Sequence, residues 1–133
     1  MKTKQNINSN PMKTILLLLL LFTGMAKAQI VSIPDPNFKA KLISLGIDSN
    51  NSGEIDTFET TFVSDLHLEN SNINNLIGIG AFTNLNILYC DSNNLTFLDL
   101  SDNVNLTFLS CRVNQIPYLD LSNSPNLTDV LAD

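Results

Sequence analysis

Residues 84–101 read Asn-Leu-Asn-Ile-Leu-Tyr-Cys-Asp-Ser-Asn-Asn-Leu-Thr-Phe-Leu-Asp-Leu-Ser, and residues 105–122 read Asn-Leu-Thr-Phe-Leu-Ser-Cys-Arg-Val-Asn-Gln-Ile-Pro-Tyr-Leu-Asp-Leu-Ser. The two stretches match at an offset of 21, and the match runs on into 126–133. Leu85, Leu106 and Leu127 align; Leu88 falls on Leu109 and Val130; Cys90 falls on Cys111 and Ala132. Asn93 meets Asn114, Leu95 meets Ile116, Leu98 meets Leu119, and Asp99-Leu100 meets Asp120-Leu121. A looser copy lies 22 residues earlier, with Leu66, Leu68, Ser71, Ile73 and Leu76 ahead of Leu88, Cys90, Asn93, Leu95 and Leu98. A fixed period of this length means stacked coils, each too thin to bury its own apolar side.

Within a coil, Leu88-x-Cys90 and Leu109-x-Cys111 alternate with period two, the mark of a short strand with one face buried. Asn93 and Asn114 stand where the chain leaves that strand. A side-chain amide both donates and accepts, so it can satisfy backbone groups of the coil above and below. The excess of Leu and Asn in the composition therefore has one cause. A second pattern is nested in the first: Leu85-x-x-Leu88-x-Cys90-x-x-Asn93 returns ten residues on as Leu95-x-x-Leu98-x-Leu100-x-x-Asn103. It predicts two short strands per coil, on opposite sides.

These residues resemble the nested 21-residue class of bacterial leucine-rich repeats, sometimes called the IRREKO type, which places Cys in the first half of the unit and Leu-Asp-Leu in the second. The resemblance covers residues 64–133. It implies a mainly β fold, a short leucine-rich-repeat solenoid with an N-terminal α-helical cap. It also implies that Cys90 and Cys111 serve as small core residues. Coils stack about 4.8 Å apart, which brings the two thiols within reach of a disulfide. Their parallel inward direction favours two buried free thiols instead.

Residues 1–28 read as a signal peptide. Lys13 precedes the apolar run Ile15–Phe22, which is too short to cross ~30 Å of hydrocarbon, and Ala26-Lys27-Ala28 places cleavage before Gln29. Met12 makes an alternative start. The expected location is secreted, extracellular or at the cell surface, with no membrane span in the mature chain. Residues 29–63 are expected to form the cap. Asp35 is an N-cap with Pro36 at the first helical position; Phe38, Leu42 and Leu45 follow at helical spacing, and Gly46 stops the helix. The opening Ile33-Pro34-Asp35-Pro36-Asn37-Phe38-Lys39 resembles the N-terminal region of secreted Bacteroidetes-type leucine-rich-repeat proteins.

Asp48 to Glu59 fits the EF-hand calcium loop with one relaxation, Ser52 at position 5. The ligands would be Asp48, Asn50, Ser52, the Glu54 carbonyl, Asp56 and a bidentate Glu59, with Gly53 at the sharp turn. Ca2+ is thus the one cofactor the residues suggest. Asp, Asn, Ser and Gly are also ordinary loop residues, and an Asx-rich structural turn reads equally from the same letters.

Four of the 7 basic residues lie in the first 27 positions, while all 13 acids follow residue 28. Residues 29–133 thus carry three basic groups against 13 acidic ones, a net charge of −10. Such a chain has no basic face for nucleic acid or an anionic membrane. One His and two Cys supply no catalytic or zinc constellation, so no enzyme is expected. The residues between the buried strand positions face outward, among them His67, Tyr89, Asp91, Phe108 and Arg112, with Tyr89 and Phe108 in one column. That face is expected to bind a protein or a glycan, against the alternative of a merely solvated scaffold. The last coil begins at Leu127 and stops at Asp133, which suggests a truncated repeat whose open edge could pair end to end with another chain.

Overall fold

The computed structural model describes residues 29–133; the signal-peptide reading of 1–28 lies outside them. Two helices come first, α1 (Pro36–Ser44) and the short α2 (Thr57–Thr60). Four three-residue strands follow: β1 (Asp65–His67), β2 (Ile87–Tyr89), β3 (Phe108–Ser110) and β4 (Asp129–Leu131). They form one parallel sheet in chain order, with Leu66, Leu88, Leu109 and Val130 in register. Each strand comes from one coil, so the sheet is one wall of the stack. No helix among the described residues is long and apolar enough to cross a membrane.

The leucine columns are the core. Leu66, Leu68, Ile73, Leu85, Leu88, Cys90, Leu95, Leu106 and Leu109 are at most 1% exposed and form a single cluster. Phe38 and Leu42 of α1 and Ile55 of the following loop join that cluster. Leu45, at the expected apolar spacing, stays exposed, as does Ile43. The helix is short, and one turn of it already covers the end of the core.

Asp35 fixes α1 to the stack. Its Oδ1 accepts from the N–H groups of Asn37 and Phe38, each at 2.9 Å, which is the N-cap the sequence predicts. Its Oδ2 accepts from the N–H of Asn74 at 2.8 Å and of Asn75 at 3.3 Å, in the first coil. One carboxylate therefore holds a helix start and a coil together. Burial by itself would raise the Asp35 pKa, but the donors from Phe38, Asn74 and Asn75 outweigh it and hold the pKa below the usual carboxylate value.

The second strand expected in each coil does not form. On that side one main-chain bond joins each pair of coils, Asn94 N–H to Ile73 O and Gln115 N–H to Leu95 O, both 2.8 Å. The reason lies in the Leu-Asp-Leu-Ser motif. Asp99 accepts from its own Ser101 N–H at 3.0 Å and Asp120 from Ser122 N–H at 2.9 Å, so these groups turn inward on their own coil. Pro117 has no N–H to give. Side-chain amides take over the linkage. Asn93 donates to Leu68 O at 2.8 Å and accepts from Ile73 N–H at 3.0 Å; Asn114 donates to Cys90 O and accepts from Leu95 N–H. Asn103 reaches back to the carbonyls of Ile79 and Phe82. A third column, Asn84, Asn105 and Asn126, donates to Thr61, Thr83 and Val104 of the coil before.

Cys90 and Cys111 are free and buried, one coil apart. The Cys90 thiol donates to Ser110 O at 3.3 Å. Burial raises both thiol pKa values; nearby carboxylates add to the effect at both, and the Cys111 sulfur adds to it at Cys90.

Candidate binding face

The register sorts the outward residues of the sheet into columns. Asp65, Ile87, Phe108 and Asp129 form one; His67, Tyr89, Ser110 and Leu131 form the next. Tyr89 and Phe108 therefore occupy neighbouring columns and not the single column expected from sequence. In register Tyr89 stands opposite Ser110 and Phe108 opposite Ile87, so the two rings are two residues apart along their strands. The rings still meet: Tyr89 and Phe108 lie 5.0 Å apart at a 45° tilt, and His67 stacks on Tyr89 at 4.7 Å and 13°. The result is one continuous ridge, His67–Tyr89–Phe108, across three coils. Ring pairs at these spacings support one another beyond their buried area.

The polar residues around the ridge differ in what they are free to do. His67 Nδ1 lies 3.1 Å from Glu69 Oε1. Asp91 Oδ1 accepts from Ser110 Oγ at 2.7 Å and from Arg112 N–H at 2.6 Å, so Asp91 joins β2 to the next coil. Ser110, expected outward and exposed, is 2% exposed as a consequence. Arg112 is exposed and forms no ion pair among the described residues. Asp65 and Asp129 stand at opposite ends of their column, and each is exposed.

Beyond the first coil the apolar surface extends onto the cap. Phe58 and Phe62 meet edge to face at 5.4 Å, both exposed. Phe62, Leu45 and Ile47 line a cleft of about 330 Å³ that ends at Asp65 and His67. Sequence reasoning missed this patch, because Phe58 and Phe62 sit in a loop-like stretch without repeat spacing.

The loop 48–59 has the turn expected of it. Gly53 is left-handed, with φ +79. Asp48 accepts from the N–H groups of Ser52 and Gly53 at 2.9 Å, and Asn50 Oδ1 from Ser52 N–H at 2.8 Å. Ser52 Oγ lies 3.0 Å from the Glu54 carbonyl, and the Glu54 carboxylate pairs with Lys39 at 2.7 Å. Asp56 and Glu59 form a capping box on α2: Asp56 Oδ1 accepts from Phe58 and Glu59 N–H, and Glu59 Oε2 from Asp56 N–H. Glu59 Oε1 accepts from Ser49 N–H at 2.8 Å. Thus the carboxylates of Asp48, Asp56 and Glu59 all engage the loop's own backbone, and among the described residues no group of three His, Cys, Asp or Glu is placed to hold a metal. Positions 9 and 12 of a calcium loop and the ends of a capping box are the same two letters at the same spacing, so the sequence cannot separate them. Residues 29–31 pair with the end of this loop: Val31 N–H donates to Ile55 O at 2.8 Å and Thr57 N–H to Gln29 O at 2.9 Å.

Comparison with protein-family models finds no match, and comparison with curated protein sequences finds none. Solved structures do match. The chain is similar to the functional domain of InlJ from Listeria monocytogenes, with 34% identity, a TM-score of 0.71, and coverage of 80% of this chain and 24% of that one. It is also similar to an internalin, inlF, from Listeria monocytogenes, with 22% identity, a TM-score of 0.68, and coverage of 81% and 33%. The chain has a leucine-rich-repeat solenoid fold. The chain spans about a quarter to a third of the length of these two structures. The InlJ domain is described as including a cysteine ladder. In this chain Cys90 and Cys111 are free and buried one coil apart, in the column that Leu68 begins.

Proposed function

We propose that the chain is an exported, non-catalytic module that binds a protein through the exposed face of its parallel sheet. The observation that carries this reading is the ridge His67–Tyr89–Phe108, three touching rings on the open wall of the stack. Aromatic side chains that are rigid, clustered and only partly covered make strong anchors for a partner. The likeness to the InlJ functional domain and to the internalin inlF supports the module reading, and the apolar run in residues 15–22 supports export. The test is surface plasmon resonance of the purified chain against a panel of extracellular proteins and a panel of glycans. A protein hit should weaken by roughly tenfold or more when Tyr89 and Phe108 are both changed to Ala. A hit unaffected by that pair refutes the ridge, and a hit confined to glycans refutes the protein partner. End-to-end pairing of two chains predicts sedimentation as a dimer and is checked in the same preparation.

A second reading concerns the cap. We infer that Ca2+ can bind the loop 48–59 and tighten the cap on the first coil. The supporting observation is register: Gly53 left-handed at position 6, the Ile55 carbonyl at position 8 accepting from Val31 N–H, and Glu59 at position 12. Asp48, Asn50, Ser52, the Glu54 carbonyl, Asp56 and Glu59 would hold it, with Glu59 giving up its bond from Ser49. A ligand that binds only the folded chain raises its melting temperature. A melting midpoint that is the same in millimolar calcium and in chelator sinks this reading.

A further inference from the structure

We propose that the segment gripped by this sheet face is basic, a stretch of a partner protein in which lysine or arginine side chains lie along the aromatic ridge. The proposal rests on the sheet-face reading above and adds the chemistry of the occupant.

Charge complementarity carries it. Residues 29–133 have three cations against 13 carboxylates, and Lys39 is already paired with Glu54. The binding wall shares this acidic excess. Asp65 stands at one end of the Ile87–Phe108 column and Asp129 at the other, and Glu69 lies beside His67 at the edge of the ridge. Arg112 is the one permanent cation among the outward residues of the wall. Ser64 Oγ and Thr128 Oγ1 each donate to the Oδ2 of the aspartate that follows, at 2.5 and 2.8 Å. These bonds hold the two carboxylates in place at the corners of the face.

Apolar and acidic surfaces are thus interleaved at a spacing that suits long cationic side chains. Lysine and arginine bury their methylene stems along apolar surface while the charged head stays at the polar edge. Stems against Ile87, Tyr89 and Phe108 would bring heads to Asp65, Glu69 and Asp129. Three coil steps of about 4.8 Å separate β1 from β4, about 14 Å in all, which an extended segment crosses with roughly four residues. An acidic or neutral segment would desolvate the same carboxylates with nothing in return. The Leu45–Phe62 cleft continues the apolar surface beyond Asp65 and gives a longer segment somewhere to go.

The experiment uses the purified full chain and three fluorescent peptides of equal length, alternating serine with lysine, with glutamate or with asparagine. Anisotropy gives affinity, and amide chemical shifts give the place of binding. The lysine peptide should bind at the face, shifting the amides of Ile87, Tyr89 and Phe108, with the glutamate peptide at least tenfold weaker. Raising salt from about 0.05 M to about 0.5 M should weaken it by roughly tenfold, because the screening length shrinks to a few ångströms. Tyr89→Ala should cost about fivefold, and Asp65→Asn with Asp129→Asn a similar factor at low salt. The aspartate pair is exposed, so it keeps the test alive if the tyrosine variant unfolds. Equal binding of the glutamate peptide, no binding of the lysine peptide, or lysine-peptide binding indifferent to Tyr89 and both aspartates would each overturn the proposal. If the asparagine or glutamate peptide shifts the ridge while the lysine peptide does not, the basic occupant fails and the sheet face stands. If peptides bind but never at the ridge, both readings fail.

Discussion

Replacing Asn93 with Ala removes the amide that ties two consecutive coils of the stack. Its Oδ1 accepts from Ser71 N–H at 3.1 Å and Ile73 N–H at 3.0 Å, and its Nδ2 donates to Leu68 O, Cys90 O and Asp91 O. Two of those carbonyls keep another donor, since Cys90 O also receives Asn114 Nδ2 and Asp91 O receives Asn70 N–H. Three groups lose their partner: the N–H of Ser71, the N–H of Ile73 and the carbonyl of Leu68. Each buried group left unpaired costs roughly 1 kcal/mol or more, so the substitution should destabilise the fold by about 3 kcal/mol. A domain of this size has about 5–15 kcal/mol in all, and 1 kcal/mol moves its melting midpoint by about 4–8 °C. The expected drop is therefore roughly 12–24 °C by differential scanning calorimetry or circular dichroism. Asn94 is the internal control. It is the same residue one position on, exposed, and its main chain alone is bonded. Asn94→Ala should stay within about 0.5 kcal/mol of the parent. Equal effects from the two substitutions, or a loss below about 1 kcal/mol at Asn93, would show that the amide ladder does not hold the coils.

Three further outcomes follow from other parts of the fold. The pKa of Asp35 is lower folded than unfolded, so its stabilising contribution is present above the unfolded value and is lost as pH falls through the folded one; chemical denaturation across that acid range should show the loss in the parent and a flatter curve in Asp35→Asn. Gly78 has φ +104, and a Cβ there would meet Ser32 O at 2.8 Å and Ile33 Cγ1 at 2.9 Å, so Gly78→Ala should cost about 2–3 kcal/mol in urea melts, against little effect for Gly53→Ala's open surroundings beyond its strained φ. Both thiols are buried with raised pKa values, so alkylation by iodoacetamide at neutral pH should be slow in the native chain and rapid in urea, as followed by mass spectrometry; fast native labelling of Cys90 would contradict the packed column.

How far the sequence could be read depended on whether a residue's partners lie at the repeat distance. The buried columns and the strand positions were legible because each buried residue has a counterpart 21 or 22 positions away, and stacking demands that they be alike. The Asp35 cap was legible because a helix start is local. The second strand was misjudged because alternation of Leu98 and Leu100 reports burial alone, whereas a strand also needs N–H groups aimed at a neighbour, and Asp99 and Asp120 claim those for their own coil. The roles of Asn84, Asn105 and Asn126 were invisible for the opposite reason: the column was plain, but nothing in it said which carbonyl each amide would reach.

By itself the sequence determined that this chain stacks. Period, buried leucines and amide-bearing turns follow from the need of each thin coil to cover its neighbour. Tertiary structure alone decided what the stack presents. The register of β1 to β4 brought His67, Tyr89 and Phe108, which lie 22 and 19 positions apart in the chain, into one ridge. It also spent Asp91 on joining coils while leaving Asp65 and Asp129 exposed at the corners. An outward side chain acquires its neighbours only from the coils on either side, and no single coil encodes them.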